Sequence, residues 1–340
     1  MAQDPKLTCE KLSDLLSSDE NTLSLPLEKK KYIIFSDMHL GDRGKADDFR
    51  QNDSALLEAL KKYKADGFDL ILLGDIEELW QFDFNKIFER YCESIYKAIR
   101  DFGDEHVIRV FGNHDIDWRV LKDPCKTKQI QKKNSYEAIK LIDKDNNIKF
   151  ILVHGHQGNL ESDKASWSSR FFVRCFKIVE PILKSLGITA HPPALRSQIT
   201  TGYDKIFYDW AKKNNIAIIC GHSHRAIFAS RSYFQRCKEK IVELEKDISL
   251  NKDNIEIVEA NKKEIDRLNK EIKDEKRRNM DILELDDPDK LQPCYFNSGC
   301  ALFKDGITGI EIIDGEIKLI KWERDPKADP RYIVYQKGLV

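Results

Sequence analysis

Five short apolar runs in this chain each end in a polar cluster of the same kind, and that recurrence limits its fold more than any other feature. Tyr32 to Phe35 leads into Ser36-Asp37-Met38-His39, Leu70 to Leu73 into Gly74-Asp75, and Val107 to Phe111 into Gly112-Asn113-His114-Asp115. Phe150 to Val153 leads into His154-Gly155-His156, and Ile216 to Cys220 into Gly221-His222-Ser223-His224. Each run is β-branched or aromatic and bounded by Gly or polar residues, the pattern of a strand buried on both faces. Helical stretches, Asp53 to Lys64 and Ile87 to Asp101, separate the first three, so the chain reads β-α-β-α-β. Open α/β sheets keep their sites at the carboxyl ends of strands, where all five clusters fall.

Charge and composition narrow the class further. With 57 Lys and Arg against 58 Asp and Glu, the net charge of -1 lacks the basic excess of a protein that tracks phosphate backbones, so there is no strong nucleic-acid signal. Charge instead gathers in residues 231–280, where both signs interleave. Ile241, Leu244, Ile248, Ile255, Val258, Ile265, Leu268 and Ile272 follow a helical stripe there, broken at Asn251-Lys252-Asp253-Asn254. The pattern predicts a two-helix hairpin over 229–285 that protrudes from the domain, with solvated charges and a stripe that can serve a homodimer. A second insertion, 160–212, holds the segment Arg170 to Leu186, whose Phe171, Phe172, Phe176 and Ile182 make it apolar almost all round. Such a helix is either buried against the body or a lid that meets a greasy substrate or membrane surface.

Strands resume at Cys294 to Phe303, and Gly309 to Ile313 with Ile317 to Trp322 form a hairpin turning at Asp314-Gly315. Residues 1–30 are then an N-terminal extension, 31–228 and 286–325 the main domain, and 326–340 a C-terminal tail. Eight cysteines form no Cys-x-x-Cys pair and read as reduced thiols. No stretch approaches ~18 consecutive apolar residues, and the first thirty residues lack a basic start and apolar run. The expected location is cytoplasmic, with peripheral contact at the inner face of a membrane through 170–186.

Imidazoles, carboxylates and one amide, with no thiolate among them, suit divalent Mn, Fe or Zn. In an extended segment residues i and i+2 point to one side, so Asp37 and His39, or His222 and His224, converge from one loop. Two ions about 3.5–4 Å apart require a bridging carboxylate, and Asp75, alone at the end of an apolar strand, is placed for that. Singly, each motif is more often a turn or a helix cap. Together, so many buried imidazoles and carboxylates would be costly without a cation. Arg225 stands directly after the last cluster.

At these residues the chain resembles the calcineurin-like metallophosphoesterase superfamily, whose pattern is Asp-x-His, Gly-Asp, Gly-Asn-His-Asp or Glu, His, and Gly-His-x-His. The resemblance implies an α/β protein, a four-layer α/β-β-α sandwich, with the helical cap insertion and the helical hairpin lying outside the match. It further implies two divalent ions, Mn before Fe or Zn. Asp37, His39, Asp75 and His224 would hold the first, and Asp75, Asn113, His154 and His222 the second. The same match makes His114 the non-ligand histidine facing the scissile phosphate, with Asp115 orienting it. For His156 the better reading is a residue behind the ligands or a hydrogen-bond donor at the rim.

The implied activity is hydrolysis of a phosphoric ester. Two cations would clamp the phosphoryl oxygens and acidify a bridging water for in-line attack, while His114 protonates or stabilises the leaving oxygen and Arg225 contacts a phosphate oxygen. Gly74-Asp75-Ile76-Glu77-Glu78-Leu79-Trp80 is similar to the Gly-Asp-x-x-Glu-x-Trp of the UDP-diacylglucosamine pyrophosphohydrolase-like branch, which implies a lipid-linked or nucleotide-sugar pyrophosphate substrate. His114 and His156 depart from that branch, which often carries Arg and Asp at these positions. The alternatives are a nuclease, a soluble phosphodiesterase or phosphatase, and a non-catalytic scaffold that keeps the fold without metals.

Overall fold

A computed structural model describes residues 4–119, 135–159, 197–252, 254–277, 294–324 and 331–338. The segment Arg170 to Leu186, expected as a lid or a buried helix, lies outside the described residues. Among those described are strands β1 (Thr22–Pro26), β2 (Tyr32–Phe35), β3 (Asp69–Leu73), β4 (Val107–Val110), β5 (Ala138–Ile142), β6 (Ile148–Val153) and β7 (Ala217–Cys220). They are followed by β8 (Ala226–Phe228), β9 (Arg231–Ser232), β10 (Cys294–Ser298), β11 (Gly306–Ile313), β12 (Glu316–Glu323) and β13 (Arg331–Gly338). The helices are α1 (Pro5–Ser17), α2 (Asp53–Ala65), α3 (Phe84–Tyr91), α4 (Ile95–Arg100), α5 (Ser197–Asn214), α6 (Tyr233–Leu250) and α7 (Ile255–Arg277).

Two sheets form, ordered β1-β5-β6-β7-β10-β8-β9 and β13-β12-β11-β2-β3-β4. Because side chains alternate along a strand, each run divides its apolar residues between two layers. Tyr32 and Ile34 of β2, with Ile71 and Leu73 of β3, enter the core between the sheets, where Phe150, Leu152 and Ile219 meet them. Ile33, Phe35, Leu70 and Leu72 face the other way, onto Leu56 and Leu60 of α2 and Ile95 and Ile99 of α4. On the far side Ile151, Val153 and Ile218 pack under Leu12 and Leu15 of α1 and Phe207 and Trp210 of α5. The result is four layers, helices-sheet-sheet-helices, and the mixed α/β fold matches the expected sandwich.

The boundaries differ from the sequence reading in instructive places. Ile87 to Asp101 is two helices rather than one. The chain leaves helical backbone at Ser94 (φ -117°, ψ -94°), which lets the Tyr91 hydroxyl donate to buried Asp47 (2.8 Å) while Ile95 and Tyr96 meet the sheet. Cys294 to Phe303 stops being a strand at Ser298, because there the chain crosses from one sheet to the other through Gly299 (φ +78°). The C-terminal tail supplies β13, which pairs antiparallel with β12. The N-terminal extension supplies α1 and the edge strand β1, parallel to β5. The turn at Asp314 (φ +52°) and Gly315 (φ +75°) is the expected two-residue hairpin.

α1 is part of the core. Leu12 is buried beside Phe207 and Trp210, and the Trp210 indole donates to Ser13 Oγ (3.1 Å). Leu12→Ala should therefore destabilise the protein by about 2–5 kcal/mol. Urea unfolding checks this; an unchanged midpoint means that α1 is only appended.

α6 and α7 lie side by side as a hairpin, with Cys237 and Leu268 buried and Ile241, Leu244 and Ile272 packed around them. Part of the apolar stripe, Ile241, Leu244, Leu268 and Ile272, is thus covered within the chain. Ile255, expected on that stripe, is 72% exposed at the tip. No helix among the described residues is long and apolar enough to cross a membrane.

Candidate metal centre

β2, β3 and β4 run parallel, as do β6 and β7, and the loops leaving their carboxyl ends are laced together. The Asp37 N–H donates to Gly74 O and the His39 N–H to Asp75 O, both at 3.0 Å. Across the sheets, the His222 N–H donates to the Asp37 carboxylate (2.9 Å to Oδ2), and between neighbouring strands of the first sheet the Gly221 N–H donates to His154 O (2.9 Å). These approaches leave no room for side chains at two glycines. A Cβ on Gly112 would lie 2.1 Å from Asp75 Oδ1, and one on Gly74, which has φ +82°, 2.5 Å from His154 Nδ1.

Asp37, His39, Asp75, His222 and His224 all have left-handed backbone, with φ of +51°, +48°, +53°, +65° and +58°. Each such residue costs about 1–2 kcal/mol and persists only where its surroundings over-determine it. The expected convergence of i and i+2 side chains therefore has a different cause in part. Asp37 and His39 do meet, but through strained turns rather than extended chain, and His222 and His224 part company.

Three sets of side chains bring ligand atoms within 4.8 Å of one another: Asp37, His39 and His224; Asp75, His154 and His222; and His39, Asp75 and His114. His224 Nε2 lies 3.2 Å from Asp37 Oδ1, and His154 Nε2 lies 3.1 Å from Asp75 Oδ2. His39 Nε2 stands between the carboxylates, 3.9 Å from Asp37 Oδ1 and 3.8 Å from Asp75 Oδ2. Asp75 and His39 each belong to two of the sets.

Whether divalent ions fit can be judged from the orphaned atoms. His154 Nδ1–H donates to Leu73 O (3.0 Å), turning Nε2 into the site, and that Nε2 has no hydrogen-bond partner of good geometry. Asn113 Oδ1 is likewise buried without one. Orphaned nitrogen and oxygen acceptors beside two buried carboxylates are the donor set of a transition-metal site. Electrostatics agree. Burial pushes the Asp75 carboxyl up, but His154 and His114 more than offset it and hold Asp75 well below the usual carboxylate range. His154 is driven down by burial and lifted by Asp75 and Asp37 to about 10, whereas burial and His154 press His222 to about 3. Protons stand here where cations can stand instead.

His114 is held by Asp75 and by two residues, Glu78 and Trp80, that the sequence reading left without a role. Its backbone N–H donates to Asp75 Oδ1 (2.8 Å), and its Nδ1 lies 2.7 Å from Glu78 Oε2. Glu78 Oε2 also takes His39 Nδ1, at 2.9 Å, so one buried carboxylate directs the Nε2 atoms of both rings. Burial raises the Glu78 carboxyl, yet His114 and His39 bring it down to about 2. Trp80 stacks on His114, centroids 4.2 Å apart, and its indole N–H donates to Asn113 O (2.8 Å). Asp115, expected to orient His114, does something else. Its carboxylate accepts from the N–H groups of Gly112 (2.6 Å) and Ile76 (2.8 Å) and ties two loops together. Burial, with Asp75 and Glu77 nearby, pushes its carboxyl up to about 7. The available signal for Glu78 was an acidic residue three places after Asp75, inside the Gly74-to-Trp80 motif.

Arg225 and His156 both lie inside the protein. Arg225, expected to contact a phosphate oxygen, is buried, with its Nη1 3.4 Å from Asp204 Oδ2 in an internal ion pair. His156 is buried at 3% exposure beside His154, ring centroids 5.6 Å apart, and burial with His154 and His222 keeps its imidazole far below its ordinary value.

The sequence profile of calcineurin-like phosphoesterases matches residues 30–226, more than half of the 340-residue chain. No curated protein matches it.

Proposed function

Since the chain belongs to the calcineurin-like phosphoesterase family, we propose that it hydrolyses phosphoric esters or pyrophosphates with two divalent ions, Mn being the first choice. The observation that carries this reading is the place of Asp75, which shares one set of possible ligands with His154 and His222 and lies 3.8 Å from His39 Nε2, a member of the set with Asp37 and His224. Asp37, His39, Asp75 and His224 would hold one ion, and Asp75, Asn113, His154 and His222 the other. Bound there, the ions supply charge against the phosphoryl oxygens and acidify a water. The chain's own residues do the rest. Glu78 fixes the His114 ring through Nδ1, which leaves Nε2 to hold or deliver a proton at the leaving oxygen. Trp80 on one face keeps the ring from turning. For substrate, the motif from Gly74 to Trp80 favours a nucleotide-sugar or lipid-linked pyrophosphate.

Stripping metal and re-adding Mn²⁺ tests the proposal on a panel of phosphomonoesters, phosphodiesters and nucleotide-sugar pyrophosphates with and without acyl chains. Turnover should vanish after chelation and return with two ions per chain. Undiminished turnover by metal-free protein sinks the reading, and a preference for monoesters or simple diesters replaces the proposed substrate while leaving the chemistry.

A further inference from the structure

The strain at His222 and His224 has to be held by something, and the structure points to adjacent residues of α5. The Gly221-His222-Ser223-His224-Arg225 loop turns left-handed twice. At its entry, Asn297 Nδ2 of β10 donates to Gly221 O (2.6 Å), and in its middle the same amide donates to Ser223 Oγ (3.1 Å). Its exit is pinned by the Arg225–Asp204 ion pair at 3.4 Å, with both residues buried. Asp204 is itself fixed, since the Tyr295 hydroxyl donates to its Oδ1 at 2.5 Å. One residue earlier on α5, the Tyr203 ring runs nearly parallel to the His222 ring in an offset stack, with centroids 5.7 Å apart and planes at 17°.

We infer that Tyr203 and Asp204 are positioning residues of the metal centre, which hold His222 by its ring face and the His222–His224 turn by its exit. The inference rests on the metal-dependent reading above. It assigns a task to a buried carboxylate that the proposed chemistry does not use. It also explains why Arg225 faces inward. Without these two contacts the loop can relax to ordinary backbone, which moves His222 and His224 out of their separate ligand sets.

The test must separate positioning from plain stability. Replacing a buried ion pair by apolar residues of similar size is often neutral for stability, so Asp204→Leu with Arg225→Met should melt much like wild type. Its affinity for Mn²⁺, titrated into chelator-treated full-length protein, should nevertheless fall by about 10- to 100-fold, the usual effect of losing a residue behind a metal ligand. Tyr203→Leu should weaken Mn²⁺ binding in the same way, while Tyr203→Phe, which keeps the ring, should bind as wild type does. Wild-type Mn²⁺ affinity in the folded double variant and in Tyr203→Leu overturns the inference alone. If the double variant does not fold, unchanged affinity in Tyr203→Leu overturns it. Wild-type protein that takes up no Mn²⁺ overturns the metal-dependent reading, and this one with it.

Discussion

Asp75→Asn is expected to abolish turnover and to weaken ion binding in both ligand sets at once. Asp75 is 1% exposed, its Oδ2 is 3.1 Å from His154 Nε2 and 3.8 Å from His39 Nε2, and its Oδ1 accepts the His114 N–H. No other carboxylate among the described residues appears in two of the candidate sets. The amide keeps the size of the side chain but gives up the charge that two adjacent cations would share. A loss of at least about 10³-fold is expected, the scale on which fixed charge acts in a water-poor site. Elemental analysis alongside a chromogenic phosphodiester assay decides the matter. Two ions retained per chain would show that Asp75 bridges nothing.

His114→Ala should separate catalysis from metal binding. A positioned proton donor or electrostatic stabiliser is worth ~10²–10⁴ in rate, and that loss in kcat should come with full metal content. The prediction is exposed to refutation because His114 also lies in one ligand set, with His39 and Asp75. Metal content that falls along with the rate would make His114 a ligand. Glu78→Gln should reproduce part of the effect, since Glu78 holds His114 Nδ1 at 2.7 Å and His39 Nδ1 at 2.9 Å. In a His114→Ala background, the additional cost of Glu78→Gln on rate should shrink.

Much of the fold was legible because its strands are buried on both faces. Tyr32 to Phe35 and Leu70 to Leu73 are apolar at every position, and the structure sends alternate residues into two different layers. The partners at the sheet edges were not legible. β1 and β13 are amphipathic or mixed segments whose strand character comes from pairing with β5 and β12, a long-range contact that local pattern does not carry. The helix break at Ser94 belongs to the same class, since what it gains is a distant bond from Tyr91 to Asp47.

By itself the sequence determined which chemistry the chain can bring together. Histidine, aspartate and asparagine at the ends of apolar runs are identities and spacings, and burying them without a cation would be unfavourable in any fold that keeps those runs. Which neighbour serves which ligand was decided only in three dimensions. Asp115 and Arg225 adjoin site residues in the chain, yet one bonds backbone N–H groups and the other Asp204. Glu78, Trp80 and Tyr203 meet His114 and His222 across gaps of 36, 34 and 19 positions, read from their numbers. The reason is geometric. A turn with left-handed residues aims each side chain by its own backbone angles, so adjacency in sequence says little about direction, and the groups that satisfy an imidazole are those the sheets and α5 carry to it.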